Sequence, residues 1–86
     1  MDILNSKKFQ KSFRKLGQKQ KIQAYQAIEI FKKNPFAAKL RNHPLKGKYK
    51  DHRAFSAAND LRIIYREEGG HIIIIMIDVG SHSQVY

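Results

Sequence analysis

Residues 60–86 read DLRIIYREEGGHIIIIMIDVGSHSQVY, and this stretch restricts the fold more than any other. Residues 61–67 and 72–79 are rich in Ile, Val and Tyr, which suit a pleated, largely buried sheet. Between them lies Glu68-Gly69-Gly70-His71. Gly-Gly makes a good two-residue hairpin loop because both positions tolerate φ > 0. A Gly69-Gly70 loop sets the register by counting: Glu68 faces His71, Tyr65 faces Ile74, Leu61 faces Asp78 and Asp60 faces Val79. The open end of the hairpin then gathers Asp60, Arg62 and the Gly80-Ser81-His82 exit within about 10 Å, by ordinary strand spacings. A carboxylate, a guanidinium and an imidazole at one sheet end form a candidate catalytic site.

Upstream the apolar period changes from two to between three and four. Phe9, Phe13 and Leu16 recur at i, i+4 and i+7 behind Ser6. This predicts a helix over 7–16 with Ser6 as N-cap and Gly17 as the glycine just past its end. A second helix is predicted over 18–33. Its stripe of Ile22, Tyr25, Ile28 or Glu29, Ile30 and Phe31, with Ala24 and Ala27, is expected to face the core. Asn34-Pro35 stops it, because the residue before proline is pushed out of the helical region. Joined at Gly17, the two helices predict an antiparallel helical hairpin with its lysines outward. Residues 1–5 predict a short edge strand anchored by Ile3 and Leu4. Residues 36–40 predict a helical turn, 41–50 a polar loop punctuated by Pro44 and Gly47, and 52–58 a strand.

Neither repeats nor a linker interrupt the 86 residues. A chain of this size buries only roughly 60–65% of its unfolded surface, which leaves room for one sheet and a pair of helices. The expected fold is therefore a single α+β domain over residues 1–86, its helical hairpin packed on one face of a small, mostly antiparallel, twisted sheet. Cysteine is absent, which excludes disulfides and thiolate metal sites. The longest apolar run, 72–77, is far too short to span a bilayer, and the N-terminus has no apolar leader. A cytoplasmic protein without a membrane partner is expected.

Charge narrows the partners. There are 17 Lys and Arg against 7 Asp and Glu. Seven of the basic residues (Lys7, Lys8, Lys11, Arg14, Lys15, Lys19 and Lys21) lie within 7–21, where no acid offsets them. Eight more lie within 32–53 against the single Asp51. Such a surface attracts polyanions, either nucleic acid or an acidic protein segment.

The spaced motif Leu40-x-x-His43-Pro44-Leu45-x-Gly47, then Arg53, Asp60-Leu61-Arg62-Ile63-Ile64-Tyr65, Gly80-Ser81-His82 and Tyr86 resembles the RelE/ParE superfamily of toxin–antitoxin toxins. Within it, the pattern is similar to the YafQ-like branch of ribosome-dependent mRNA endonucleases. The resemblance implies a toxin of a type II system that cuts mRNA on the ribosome without a metal or other cofactor, and that a cognate antitoxin neutralises. It implies His43, Asp60, His82 and Tyr86 as active-site members. Ser56 stands where the YafQ-like pattern often has a further histidine. Asp78 stands near a place where several relatives carry a base, so Arg53 or Arg62 is expected to supply that charge.

Metal-free RNA cleavage needs a base for the 2′-hydroxyl, an acid for the departing 5′-oxygen and positive charge on the crowded phosphorane. His82 is the first candidate for acid or base, because imidazole titrates near neutral pH. His43 is held extended by Pro44 and presented from a stiff loop. Asp60 can orient an imidazole, although Asn59-Asp60 is also ordinary turn chemistry. Arg53 and Arg62 suit phosphate through the guanidinium fork, with Lys46, Lys48 and Lys50 beside them. Tyr86 can stack on a splayed base. His52 and His71 are expected on the surface, and the four histidines lack metal-type spacing. The basic helix face is expected to meet phosphates, those of 16S rRNA among them, or an acidic antitoxin segment. Two other readings fit the same fold: a ParE-like inhibitor that binds DNA gyrase, and a degenerate relative that only binds antitoxin or nucleic acid.

Overall fold

The computed structural model describes residues 1–70 and 72–86. In chain order these form β1 (Asp2–Asn5), α1 (Lys7–Arg14), α2 (Gln18–Lys33), β2 (His43–Pro44), β3 (Arg53–Ala58), β4 (Leu61–Glu68), β5 (Ile73–Gly80) and α3 (His82–Val85). Short 3₁₀ turns at Ala38–Leu40 and Gly47–Tyr49 flank β2. One sheet runs β1-β5-β4-β3-β2. Its pairs are antiparallel except β1 with β5, which run parallel.

The Ser6 hydroxyl fixes the start of α1. It accepts from the Phe9 amide at 3.0 Å and donates to the Ile77 carbonyl at 3.1 Å, so one side chain caps the helix and ties it to β5. Gly17 does not play the expected part. It is extended (φ −67°, ψ 164°) and stands at the N-cap of α2, its amide donating to Gln20 Oε1 at 3.4 Å. The first helix ends earlier, at Arg14 with Lys15 as cap. The second matches its predicted range.

α1 lies against β5 and α2 against β3. Between them and the sheet, Phe9, Ala24, Ala27, Phe31, Leu40, Phe55, Leu61, Ile63, Tyr65, Ile74, Met76 and Val79 make the main core. Phe31 stacks on Phe55 at 4.8 Å and meets Tyr65 edge-on at 4.9 Å. Ile22 and Tyr25 do not join this core but are exposed, as is Leu4 on β1. The buried line of α2 runs through Ala24, Ala27 and Phe31, because small side chains let the helix approach the sheet. Tyr25 instead meets Phe13 edge-on at 5.2 Å. The opposite sheet face carries a smaller cluster of Ala54, Ile64 and Val85, with Leu45, Tyr49 and Ile77 around it.

The hairpin register also differs from the count. Gly69 and Gly70 do take positive φ (62° and 64°), but the connection continues through Ile72, which is exposed. Glu68 therefore pairs with Ile73, Glu67 with Ile74 and Tyr65 with Met76. Beyond these a bulge slips the register once more, placing Ile64 opposite Asp78, Ile63 opposite Val79 and Arg62 opposite Gly80. Leu61 does not face Asp78, and Asp60 stands in a turn outside the ladder. The first slip is by two residues, which keeps every side chain on its face and so leaves the alternation unchanged. The expected pairing of Glu68 with His71, and the surface position of His71, lie outside the described residues.

Candidate active site

The end of the chain is built to hold one histidine. Ser81 caps α3, its hydroxyl accepting from the Gln84 amide at 3.3 Å while Gln84 Oε1 accepts from the Ser81 amide at 2.8 Å. Such a reciprocal box satisfies two otherwise orphan donors. Val85, 2% exposed, pins the short helix to Ala54 and Ile64. Asp60 reaches across from the β3–β4 turn, and the His82 amide donates to its Oδ1 at 3.3 Å. Asp60 thus orients the backbone of His82, where the sequence pointed to its ring. The exposed imidazole meets the ring of Tyr86 edge-on at 4.4 Å.

His82 and Tyr86 line an open cleft of about 530 Å³ with Leu45, Lys46, Lys48 and Tyr49. Lys48 Nζ stands 5.2 Å from the centre of the Tyr49 ring. Burial raises the Tyr86 hydroxyl above its ordinary pKa, and the Arg62 guanidinium pulls in the other direction. Arg62 itself donates from Nη1 to the Ala58 and Asn59 carbonyls at 3.0 and 3.1 Å, bracing the turn that carries Asp60. It also lines a second groove of about 200 Å³ with Lys39, Arg41, Ser56 and Asn59.

Four of the expected residues, His82, Tyr86, Lys46 and Lys48, therefore share one cleft, with Asp60 and Arg62 at its α3 side. His43 lies outside the cleft lining, on β2 beside Ala54. Its Nδ1 is 2.8 Å from the Arg41 carbonyl. A carbonyl only accepts, so Nδ1 carries the proton and Nε2 is the nitrogen left for chemistry. Lys50 is exposed just past the Gly47–Tyr49 turn. Arg53 is elsewhere. It pairs with Tyr65 across the ladder and so points to the helix-covered face, where its Nε donates to Asn42 Oδ1 at 2.8 Å and its guanidinium lies 5.3 Å from the Phe36 ring.

Three basic or aromatic residues that line these two grooves were not singled out from the sequence: Lys39, Arg41 and Tyr49. For Tyr49 a signal existed, since Lys48-Tyr49-Lys50 interleaves an aromatic with bases. His52 is half-buried rather than a bare surface residue, packing edge-on to Tyr49 at 5.6 Å. Asp78 is 5% exposed, its Oδ1 accepting from the Val79 amide at 2.9 Å and its Oδ2 lying 3.6 Å from Lys8 Nζ.

Solved structures share this architecture over nearly the whole chain. YafQ from Escherichia coli strain BL21(DE3) superposes with a TM-score of 0.80 at 23% identity, covering 99% of this chain and 97% of that one. A metal-bound toxin from Helicobacter pylori gives 0.76 at 28%, covering 100% and 99%. The E. coli DinJ–YafQ complex gives 0.71 at 21%, covering 99% and 97%. No curated protein matches the sequence. The fold is thus that of small bacterial toxins. The family model described as "Bacterial toxin of type II toxin-antitoxin system, YafQ" matches residues 1–86, and the chain belongs to that family. Among the described residues, no helix is long and apolar enough to cross a membrane.

Proposed function

We propose that this toxin is a ribosome-dependent mRNA endonuclease that uses general acid–base catalysis. The observation that carries this reading is the cleft: an imidazole held by a capped and pinned α3, an adjacent tyrosine and two lysines in one open groove. The 2′-hydroxyl of the substrate attacks its own 3′-phosphorus while an imidazole takes the proton. The P–O5′ bond breaks, an acid returns a proton to the leaving oxygen, and the products are a cyclic or 3′-phosphate and a 5′-hydroxyl. His82 and His43 divide these two transfers. Asp60 fixes the backbone of His82, and Lys46, Lys48, Lys50 and Arg62 meet the phosphates. Arg53 would act from the helix-covered face, beside Asn42 and Phe36. Tyr86 stacks on a base of the message.

The acting complex is the translating ribosome, and the action is therefore cytoplasmic. The lysines of α1 and α2, arranged as an antiparallel hairpin, contact rRNA phosphates. The E. coli relative is known in complex with DinJ. The net charge of +10 fits a cognate antitoxin with an acidic segment that covers the same surfaces.

An in vitro translation reaction with a defined mRNA tests this. Wild-type protein is expected to produce new 5′ ends by primer extension only when ribosomes are present, and His82→Ala to lower their yield by roughly 100-fold or more. Intact mRNA with both proteins would overturn the nuclease reading. Loss of supercoiling by added DNA gyrase would then identify the ParE-like inhibitor, and its retention a binding-only relative.

A further inference from the structure

Tyr49 is held on several sides for no reason the proposed chemistry supplies. The 3₁₀ turn that carries it opens at Gly47 with φ +66°, a conformation that favours glycine. One flank of its ring packs on the Ala54, Ile64 and Val85 cluster, the same apolar patch that anchors α3. His52 abuts it edge-on. At the hydroxyl end stands the Lys8 ammonium, paired with buried Asp78. The Asp78 carboxylate first, and the Tyr49 hydroxyl after it, hold that ammonium above its ordinary pKa. Lys8 of α1, His52 and the cluster of Ala54, Ile64 and Val85 therefore surround one half-buried ring that lines the cleft of His82 and Tyr86.

A core-filling role needs no opening to the cleft and no lysines at its rim. Two aromatic side chains and two lysines lining one groove are instead the arrangement that grips an unpaired nucleobase while flanking phosphates meet the cations. We propose that Tyr49 is a substrate-contacting residue, the second aromatic wall that with Tyr86 clamps a base of single-stranded RNA while Lys46 and Lys48 take the adjoining phosphates. This rests on reading the cleft as an RNA site. It does not require that the RNA be cut.

The test is binding of a fluorescein-labelled, 2′-O-methylated single-stranded hexanucleotide to the purified full chain without ribosomes, followed by anisotropy. A matching strand with abasic positions keeps the phosphates and removes the bases. Wild type is expected to prefer the base-bearing strand. Tyr49→Leu is expected to weaken that strand about tenfold, to leave the abasic strand and the salt slope unchanged, and so to erase the preference. Tyr49→Phe is expected to remain within about twofold of wild type, since the π-face persists. The chain has no tryptophan, so Tyr49→Trp places a single indole in the cleft. Its fluorescence is expected to be quenched by the base-bearing strand and not by the abasic one, a readout that stands even where Tyr49→Leu folds poorly. An unquenched indole, a base preference that survives in folded Tyr49→Leu, or no binding by wild type would overturn the proposal. Because the strand is uncleavable and ribosomes are absent, failure of the translation assay leaves this result standing. Cleavage with no effect of Tyr49 overturns only this inference.

Discussion

At Gly80 the chain leaves the sheet directly beneath Gln84. A Cβ there would stand 2.9 Å from Gln84 Oε1, 3.2 Å from Val85 Cγ1 and 3.3 Å from Gln84 Cβ. Gly80→Ala must therefore displace the side chain that closes the α3 capping box. The expected result is a stability loss of about 1 kcal/mol by urea unfolding, the ordinary worth of a cap, with a larger relative loss of the proposed mRNA cleavage. Equal losses of stability and activity would show that α3 tolerates the shift. From the sequence alone, Gly80-Ser81-His82 was legible as the exit from the sheet, because the motif and the hairpin end coincide there. Why the glycine is needed was not legible, since its neighbour is a side chain four residues ahead. Asp60 was brought near His82 by a register that proved wrong. The turn at Asn59-Asp60 achieves the same proximity because it sits at the same sheet end. Arg53 lies on the helix-covered face for a simpler reason. Its face follows from its pairing with Tyr65, and no single strand's alternation reveals a partner.

An element of four residues such as α3 has no stability of its own, since helix nucleation alone exceeds what one turn returns. What holds it is the capping box at one end and Val85 at the other. Val85→Ala is expected to cost about 2 kcal/mol in thermal or urea unfolding. At temperatures where the sheet stays folded, amide exchange at Gln84, Val85 and Tyr86 should rise well before that of β4. Uniform protection across both elements would argue that α3 unfolds only with the whole domain. The longer α2 was legible to the residue, because Gly17 and Asn34-Pro35 bracket it and sixteen residues carry a clear period. Its buried face was legible in part, since Ala24, Ala27 and Phe31 are buried while Ile22 and Tyr25 are exposed. Sequence reasoning weighted Ile22 and Tyr25 by size, whereas close approach to β3 selects Ala24 and Ala27. In the β4–β5 hairpin, the existence of the strands and their faces up to the bulge were legible but not their register, since the first, two-residue slip keeps the alternation and the bulge beyond it then shifts β5 by one.

For the molecule as a whole, stability at alkaline pH should reflect Tyr65. This side chain is fully buried, and its hydroxyl accepts from Asn42 Nδ2 at 2.6 Å. Burial raises its pKa above the ordinary 10.0, outweighing the opposing pull of Asn42 and Arg53. The unfolded chain therefore loses the phenolic proton first as pH rises. Its contribution to stability is complete below pH 10.0, declines above that value and is lost as pH passes the folded pKa. Urea midpoints are expected to hold steady up to that pH and to fall beyond it, less steeply in Tyr65→Phe. An identical fall in both proteins would assign the alkaline loss to other groups.

The parallel pairing of β1 with β5 has a kinetic consequence. The Ser6 hydroxyl that starts α1 finds its acceptor, the Ile77 carbonyl, 71 residues along the chain. The main hydrophobic support of α1 lies on that same late strand. Closing so long a loop costs entropy before any contact rewards it. An N-terminal fragment that stops short of β5 leaves β1 without its neighbour and α1 without its floor. Such a fragment is expected to stay unstructured, and the intact chain to fold in one cooperative step whose barrier is the meeting of its earliest and latest strands.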